Sequence, residues 1–117
     1  MGVRNTRVVT LESAEVISAA WTGTQINVEN YTEASVYIQV TAQSGSSPTL
    51  DLNVETSPDN STWYHHTDVP QIATVSTTYY APVVALTNIG EYLRMQSPLP
   101  GGTTPSFTVT IIIVLKN

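Results

Sequence analysis

The 117-residue chain has no cysteine, so neither a disulfide nor a thiolate metal site is possible. It is also poor in charge. Ionisable residues make up 11% of the chain, against about a quarter in an average domain. Arg4, Arg7, Arg94 and Lys116 are the only cations, set against nine carboxylates, for a formal net charge of -5. A nucleic-acid binder needs a basic stripe to neutralise phosphates, and four scattered cations cannot form one. An anionic membrane surface is excluded as a partner on the same ground. The longest apolar run is Ile111 to Leu115, far below the ~20 residues of a membrane span. Met1 to Val9 holds no apolar stretch of signal-peptide length, so the chain reads as soluble, made in the cytosol and without an export signal. Helical character is confined to Glu12–Glu15, too short to nucleate a helix by itself.

Hydroxyl and β-branched side chains fill the space that charge leaves. There are 18 Thr, 11 Ser, 14 Val and 8 Ile. Thr, Val and Ile are stiff at χ1 and fit a pleated surface better than a helix, which implies an all-β protein. Val36, Ile38 and Val40 alternate with Ser35, Tyr37, Gln39 and Thr41, the period-2 mark of a half-buried strand. Leu50, Leu52 and Val54 alternate with Asp51, Asn53 and Glu55 in the same way. Between them 43–48 reads as a Gly/Ser loop, and the Pro- and Gly-rich stretch 97–105 reads as a loop and not a strand. Phe107, Val109, Ile111, Ile113 and Leu115 share one face of a long C-terminal strand, with Thr108, Thr110, Ile112 and Val114 on the other. About eight short strands separated by turn signals imply a single antiparallel β-sandwich, jelly-roll-like, over 11–117, preceded by an N-terminal arm over 1–10 that docks on a partner. No internal repeat or interdomain linker is evident.

No constellation states a reaction. His65 and His66 are adjacent on a strand and so point to opposite faces, with Asp68 placed opposite His65. Such a pair does not chelate one metal, and no metal site is expected. Asp51 and Glu55 sit four residues apart on one strand face, about 13 Å at the usual rise, too far for a glycosidase pair. There is no G-x-S-x-G elbow and no phosphate loop. The chain reads as a non-enzyme without cofactor. Trp63, Tyr64, Tyr79, Tyr80 and Tyr92 leave a carbohydrate-binding module as an alternative, with a glycan as ligand. The last strand speaks for association. From Ile111 onward both its faces are apolar; one serves the core, and Ile112 and Val114 on the other require cover from the chain, a sister subunit or a partner.

Three strings carry a resemblance: Leu50-Asp-Leu-Asn-Val-Glu-Thr-Ser57-Pro-Asp59-Asn60-Ser-Thr-Trp63-Tyr, then Gly90-Glu-Tyr92-Leu-Arg94, then Thr104-Pro-Ser106-Phe-Thr-Val109. They are similar to strands of the small β-sandwich virion proteins of tailed bacteriophages, over roughly the last 60% of the chain. Asn60 stands where those proteins usually carry glycine; Asn also tolerates the left-handed conformation, so the turn survives. In this turn Asp59 is expected to act as the cap, with Ser57 before it and Trp63 packing the start of the next strand. The resemblance implies a non-enzymatic virion component, foremost a capsid decoration (cement) protein on the shell's outer surface, as a homotrimer bound to the major capsid protein. A neck or tail connector subunit is the other virion role it allows. Association would rest on Ile112 and Val114, and on Arg4 and Arg7 pairing with acidic capsid residues.

Overall fold

The computed structural model describes residues 5–73 and 78–117. Ten strands form: β1 (Thr6–Ile17), β2 (Trp21–Thr22), β3 (Ile26–Asn27), β4 (Glu33–Thr49), β5 (Asn53–Ser57), β6 (Tyr64–Asp68), β7 (Tyr79–Tyr80), β8 (Val84–Thr87), β9 (Tyr92–Ser97) and β10 (Gly101–Lys116). They make two antiparallel sheets, packed face to face as a β-sandwich. Sheet I has the order β1-β10-β4-β7, with β8 also paired to β4; sheet II has β2-β9-β5-β6, with β3 also paired to β9. The alternating residues meet between the sheets. Val36, Ile38 and Val40 of β4 and Phe107, Val109, Ile111, Ile113 and Leu115 of β10 are buried from one side; Val54, Leu93 and Met95 are buried from the other.

Several boundaries differ from the sequence reading. Among the described residues the strand count is ten. Both stretches read as loops, 43–48 and much of 97–105, lie in strands, because β4 runs on to Thr49 and β10 begins at Gly101. Backbone hydrogen bonding overrides local turn chemistry here: Thr49 pairs with Gly101, Ser46 with Thr103 and Ser44 with Ser106. From Thr6 onward the expected arm is the start of β1, paired to β10 from Thr6↔Lys116 to Ile17↔Phe107. Arg4 lies outside the described residues, as do 74–77 of the strand read over 73–81. The piece Glu12–Glu15 is a bulged part of β1, with Ala14 at φ 51°.

An internal two-fold relation organises the sandwich, contrary to the reading of no repeat. The paired segments 33–57 and 92–116 form one long ribbon that passes from sheet I to sheet II at 50–52 and 98–100. Ile38 pairs with Ile111, and Val54 with Met95; Ile38 and Met95 are 57 apart (95 − 38), and so are Val54 and Ile111 (111 − 54). The same shift turns Tyr37↔Ile112 into Arg94↔Glu55, and Gln39↔Thr110 into Gln96↔Asn53. The flanks follow: Tyr80 beside Gln39 matches Thr22 beside Gln96, and Phe107 opposite Ile17 matches Leu50 opposite Ile72. At the centre, Gly45-Ser46-Ser47-Pro48 lies against Gly102-Thr103-Thr104-Pro105. Gly45 and Gly102 have φ of 108° and 99°, and Ser47 and Thr104 have 49° and 45°. A Cβ on Gly45 would meet the Thr104 carbonyl at 2.7 Å, and one on Gly102 the Ser46 and Ser47 carbonyls at 2.7 Å. Only glycine suits both the close approach and the dihedral.

Candidate interaction face

The two-fold relation sets the outer faces of the two sheets side by side as equivalent positions with different chemistry. Cross-strand partners in an antiparallel pair share a face. On sheet I the outward rows are Val8–Val114–Ser35–Ala85, Thr10–Ile112–Tyr37, Thr110–Gln39–Tyr80 and Val16–Thr108–Ala42. None of these side chains is a carboxylate, a histidine or a cation. Val8 is 68% exposed, Tyr80 72%, Val83 54% and Tyr37 44%. Ile112 and Val114 are half-buried. A cleft of about 310 Å³ opens on this face between Tyr37, Tyr80, Ala81, Val83 and Ile112. Glu12 and Glu15 of β1 are turned away from it. Glu12 accepts a hydrogen bond from the Thr24 amide at 2.7 Å and Glu15 one from the Trp21 indole at 3.2 Å. Charge returns at the end row, where the Lys116 Nζ donates to the Ser35 hydroxyl at 3.0 Å.

Sheet II carries the opposite chemistry at the matching places. Where sheet I has Tyr37 and Ile112, sheet II has Arg94 and Glu55, joined at 2.7 Å between Nε and Oε1. The Arg94 guanidinium also lies 4.1 Å from the Trp63 ring centroid. Where sheet I has Gln39 and Thr110, sheet II has Gln96 and Asn53, hydrogen-bonded at 2.7 Å. That face is finished for water. Trp63 therefore packs on a cation and is only half-buried, outside the core.

The turn after β5 is built on two side chains. The buried Ser57 hydroxyl accepts from the Asp59 and Asn60 amides at 3.2 and 2.8 Å and donates to Asp59 Oδ1 at 3.1 Å. The same carboxylate oxygen accepts from the Ser61 and Thr62 amides, both at 2.9 Å. The Thr62 and Ser61 amides are the main reason its pKa lies below the usual 3.8. Asn60 has φ 61°.

The remaining candidates do not converge. Arg7 is exposed near the edge of β1, opposite Leu115. Asp51 accepts from Gln71 Nε2, far from any partner for Glu55, which is held by Arg94. His65 and Asp68, read as facing apart, share a face at 3.5 Å between Nε2 and Oδ1. The cause is the bulge opposite Val54 and Glu55, which inserts one residue into β6 and reverses the alternation. His66 bridges the sheets: its Nε2 is 2.7 Å from the Thr87 carbonyl and its Nδ1 2.6 Å from the Thr67 hydroxyl. Donation from Nε2–H to the carbonyl leaves Nδ1 to accept from Thr67. Among the described residues, no group of three or more His, Asp or Glu is arranged to hold a metal ion. Sequence reasoning missed Tyr37, Tyr80 and Val83 as neighbours of Ile112. The alternation in 35–41 did place Tyr37 away from the core, but register alone brings these elements together.

No family model matches the chain. No curated protein matches it either. Among solved structures it is similar to the crystal structure of the SPBc2 prophage-derived protein YomS, with a TM-score of 0.62, at 15% identity, over 100% of this chain and 97% of that one. The likeness covers the whole sandwich and concerns the fold.

Proposed function

We propose that the chain is a non-enzymatic structural protein of a phage virion, acting as a capsid decoration protein on the outer surface of the shell. The observation that carries this reading is the uncharged outer face of sheet I around Ile112, Tyr37 and Val114, whose equivalent on sheet II is an ion-paired, water-facing surface. One side of the molecule is finished for solvent and the other for contact. The fold shared with a prophage-derived protein supports a phage setting, as does the resemblance of the Ser57–Trp63 and Tyr92–Arg94 strings to virion proteins. The mechanism is mechanical: repeated weak contacts over a lattice add up through avidity and resist internal pressure.

The test is to mix the purified chain with phage heads that lack it. Saturable binding spread over the shell supports decoration. Binding confined to one vertex in a ring's worth of copies favours the connector role instead. Absence of binding to heads, necks and tails alike sinks the virion reading. A glycan-binding role is favoured by one observation, the exposed Tyr80 and Tyr37 flanking the cleft; quenching of intrinsic fluorescence by a member of a glycan panel would support it.

A further inference from the structure

We propose that the outer face of sheet I is the site where a second copy of this chain packs, face to face, to give a two-fold dimer. The inference deepens the structural-protein reading and rests on it for one point only, that this face is a contact face; it gives that contact to the sister copy, so that a shell would meet the dimer at another surface.

Charge argues for a second copy as the occupant. The chain carries -5 overall, so two copies repel unless they meet through a neutral surface. The four outward rows of sheet I supply one. From Val8–Val114–Ser35–Ala85 to Val16–Thr108–Ala42 there is no carboxylate and no cation. A partner recognised by charge would find nothing here to pair with. The equivalent face of sheet II shows that the fold does not demand this neutrality, since Glu55 and Arg94 occupy the places of Ile112 and Tyr37.

Area gives the same answer. Four strands at about 4.8 Å spacing and about eight residues at about 3.4 Å make a face on the order of 500 Å² per copy. Two such faces bury roughly 1,000 Å², the size at which a specific interface begins. The side chains suit sheet-on-sheet packing. Val8, Ile112, Val114 and Val83 are the same residue types that fill the interior, and such faces interdigitate about 10 Å apart. The cleft beside Tyr37 and Tyr80 gives a protruding side chain of the partner somewhere to enter. The product is a four-layer stack, II–I–I–II, with both ion-paired faces outward. A contact of this kind is isologous and closes at two copies.

The experiment is sedimentation equilibrium of the full chain, with Ile112→Arg, Val83→Glu and Thr22→Arg compared at equal concentration, and with circular dichroism on each. Val83 is 54% exposed beside the cleft, so its replacement does not threaten the core. Thr22 is the sheet II counterpart of Tyr80 and serves as control. Expected are a wild-type mass of about 25 kDa, twice the 12.7 kDa chain, at least hundredfold weaker pairing in Ile112→Arg and Val83→Glu with unchanged β-sheet spectra, and unchanged pairing in Thr22→Arg. A wild-type monomer at all concentrations overturns the proposal. So does a dimer that both sheet I variants leave intact, or a trimer, which a closed two-fold contact cannot make. Head binding by a monomer would overturn the dimer while leaving the virion reading standing.

Discussion

At the residue scale, Ser57 and Asp59 show how a turn can be held by side chains alone. The Ser57 hydroxyl is fully buried and meets two amides and a carboxylate. Ser57→Ala leaves those amides short of an acceptor, and chemical denaturation should show a loss of about 1–3 kcal/mol. Asp59 adds a pH signature. Its pKa is lowered in the folded state, chiefly by the Thr62 amide. The unfolded chain therefore takes up the proton first as pH falls, and folding opposes protonation. The stabilisation is complete above the ordinary carboxylate value of 3.8 and disappears as pH drops through the lowered value. A melting-temperature series from pH 7 downward should find Asp59→Asn less stable than wild type at neutral pH, with the gap closing below about pH 3.8. A constant gap across the range would show that the carboxylate's charge is not what the turn uses.

At the element scale, the ribbon of 33–57 against 92–116 decides the architecture. Its two segments stay paired up to Thr49↔Gly101 and pair again from Asn53↔Gln96, so the ladder is interrupted only where it changes sheets, and the two Gly-Ser/Thr-Ser/Thr-Pro strings lie paired beside that break. Each glycine sits where a Cβ would strike the other strand's carbonyls. Gly45→Ala and Gly102→Ala should each cost at least ~1–2 kcal/mol, because an L side chain at such φ is strained apart from the clash. The two-fold relation adds a condition: the two losses should be similar, as measured by urea unfolding. One large loss beside one negligible loss would mean that the crossing is held from one side only. In the sequence these strings show as turn chemistry, which predicts loops. Gly, Pro and Ser mark a local break equally well in a free loop and in a bulged, paired ribbon. The distinction lies in the partner strand, more than fifty residues away (101 − 49).

At the scale of the whole molecule, each sheet takes strands from both halves of the chain. β1 and β4 of the first half lie in sheet I with β7, β8 and β10 of the second, and sheet II mirrors the arrangement. Neither half can bury its apolar face without the other. Calorimetry should record one cooperative transition, with calorimetric and van't Hoff enthalpies equal; two resolved transitions would contradict this interlocked core. The repeat is not legible in the sequence for a physical reason. Between 36–54 and 93–111 only Gln39/Gln96, Gly45/Gly102 and Pro48/Pro105 are identical. What is kept is the alternation and the two positive-φ crossings, which the fold requires. The outward side chains are free to differ, and Tyr37/Arg94 and Ile112/Glu55 differ fully.

The amino-acid order alone determined the all-β class, the inward faces of β4 and β10 and the turn at Ser57–Asn60. Those properties are local: β-branched content, a period of two, and side chains that bond to their own backbone. It also marked Ile112 and Val114 as needing cover, since a strand apolar on both faces cannot leave one to water. Only the tertiary structure decided the rest. Strand order, the paired ribbon, the His65–Asp68 contact and the gathering of Tyr37, Tyr80 and Val83 around Ile112 depend on register between distant segments, and a one-residue bulge is enough to reverse which face a side chain joins.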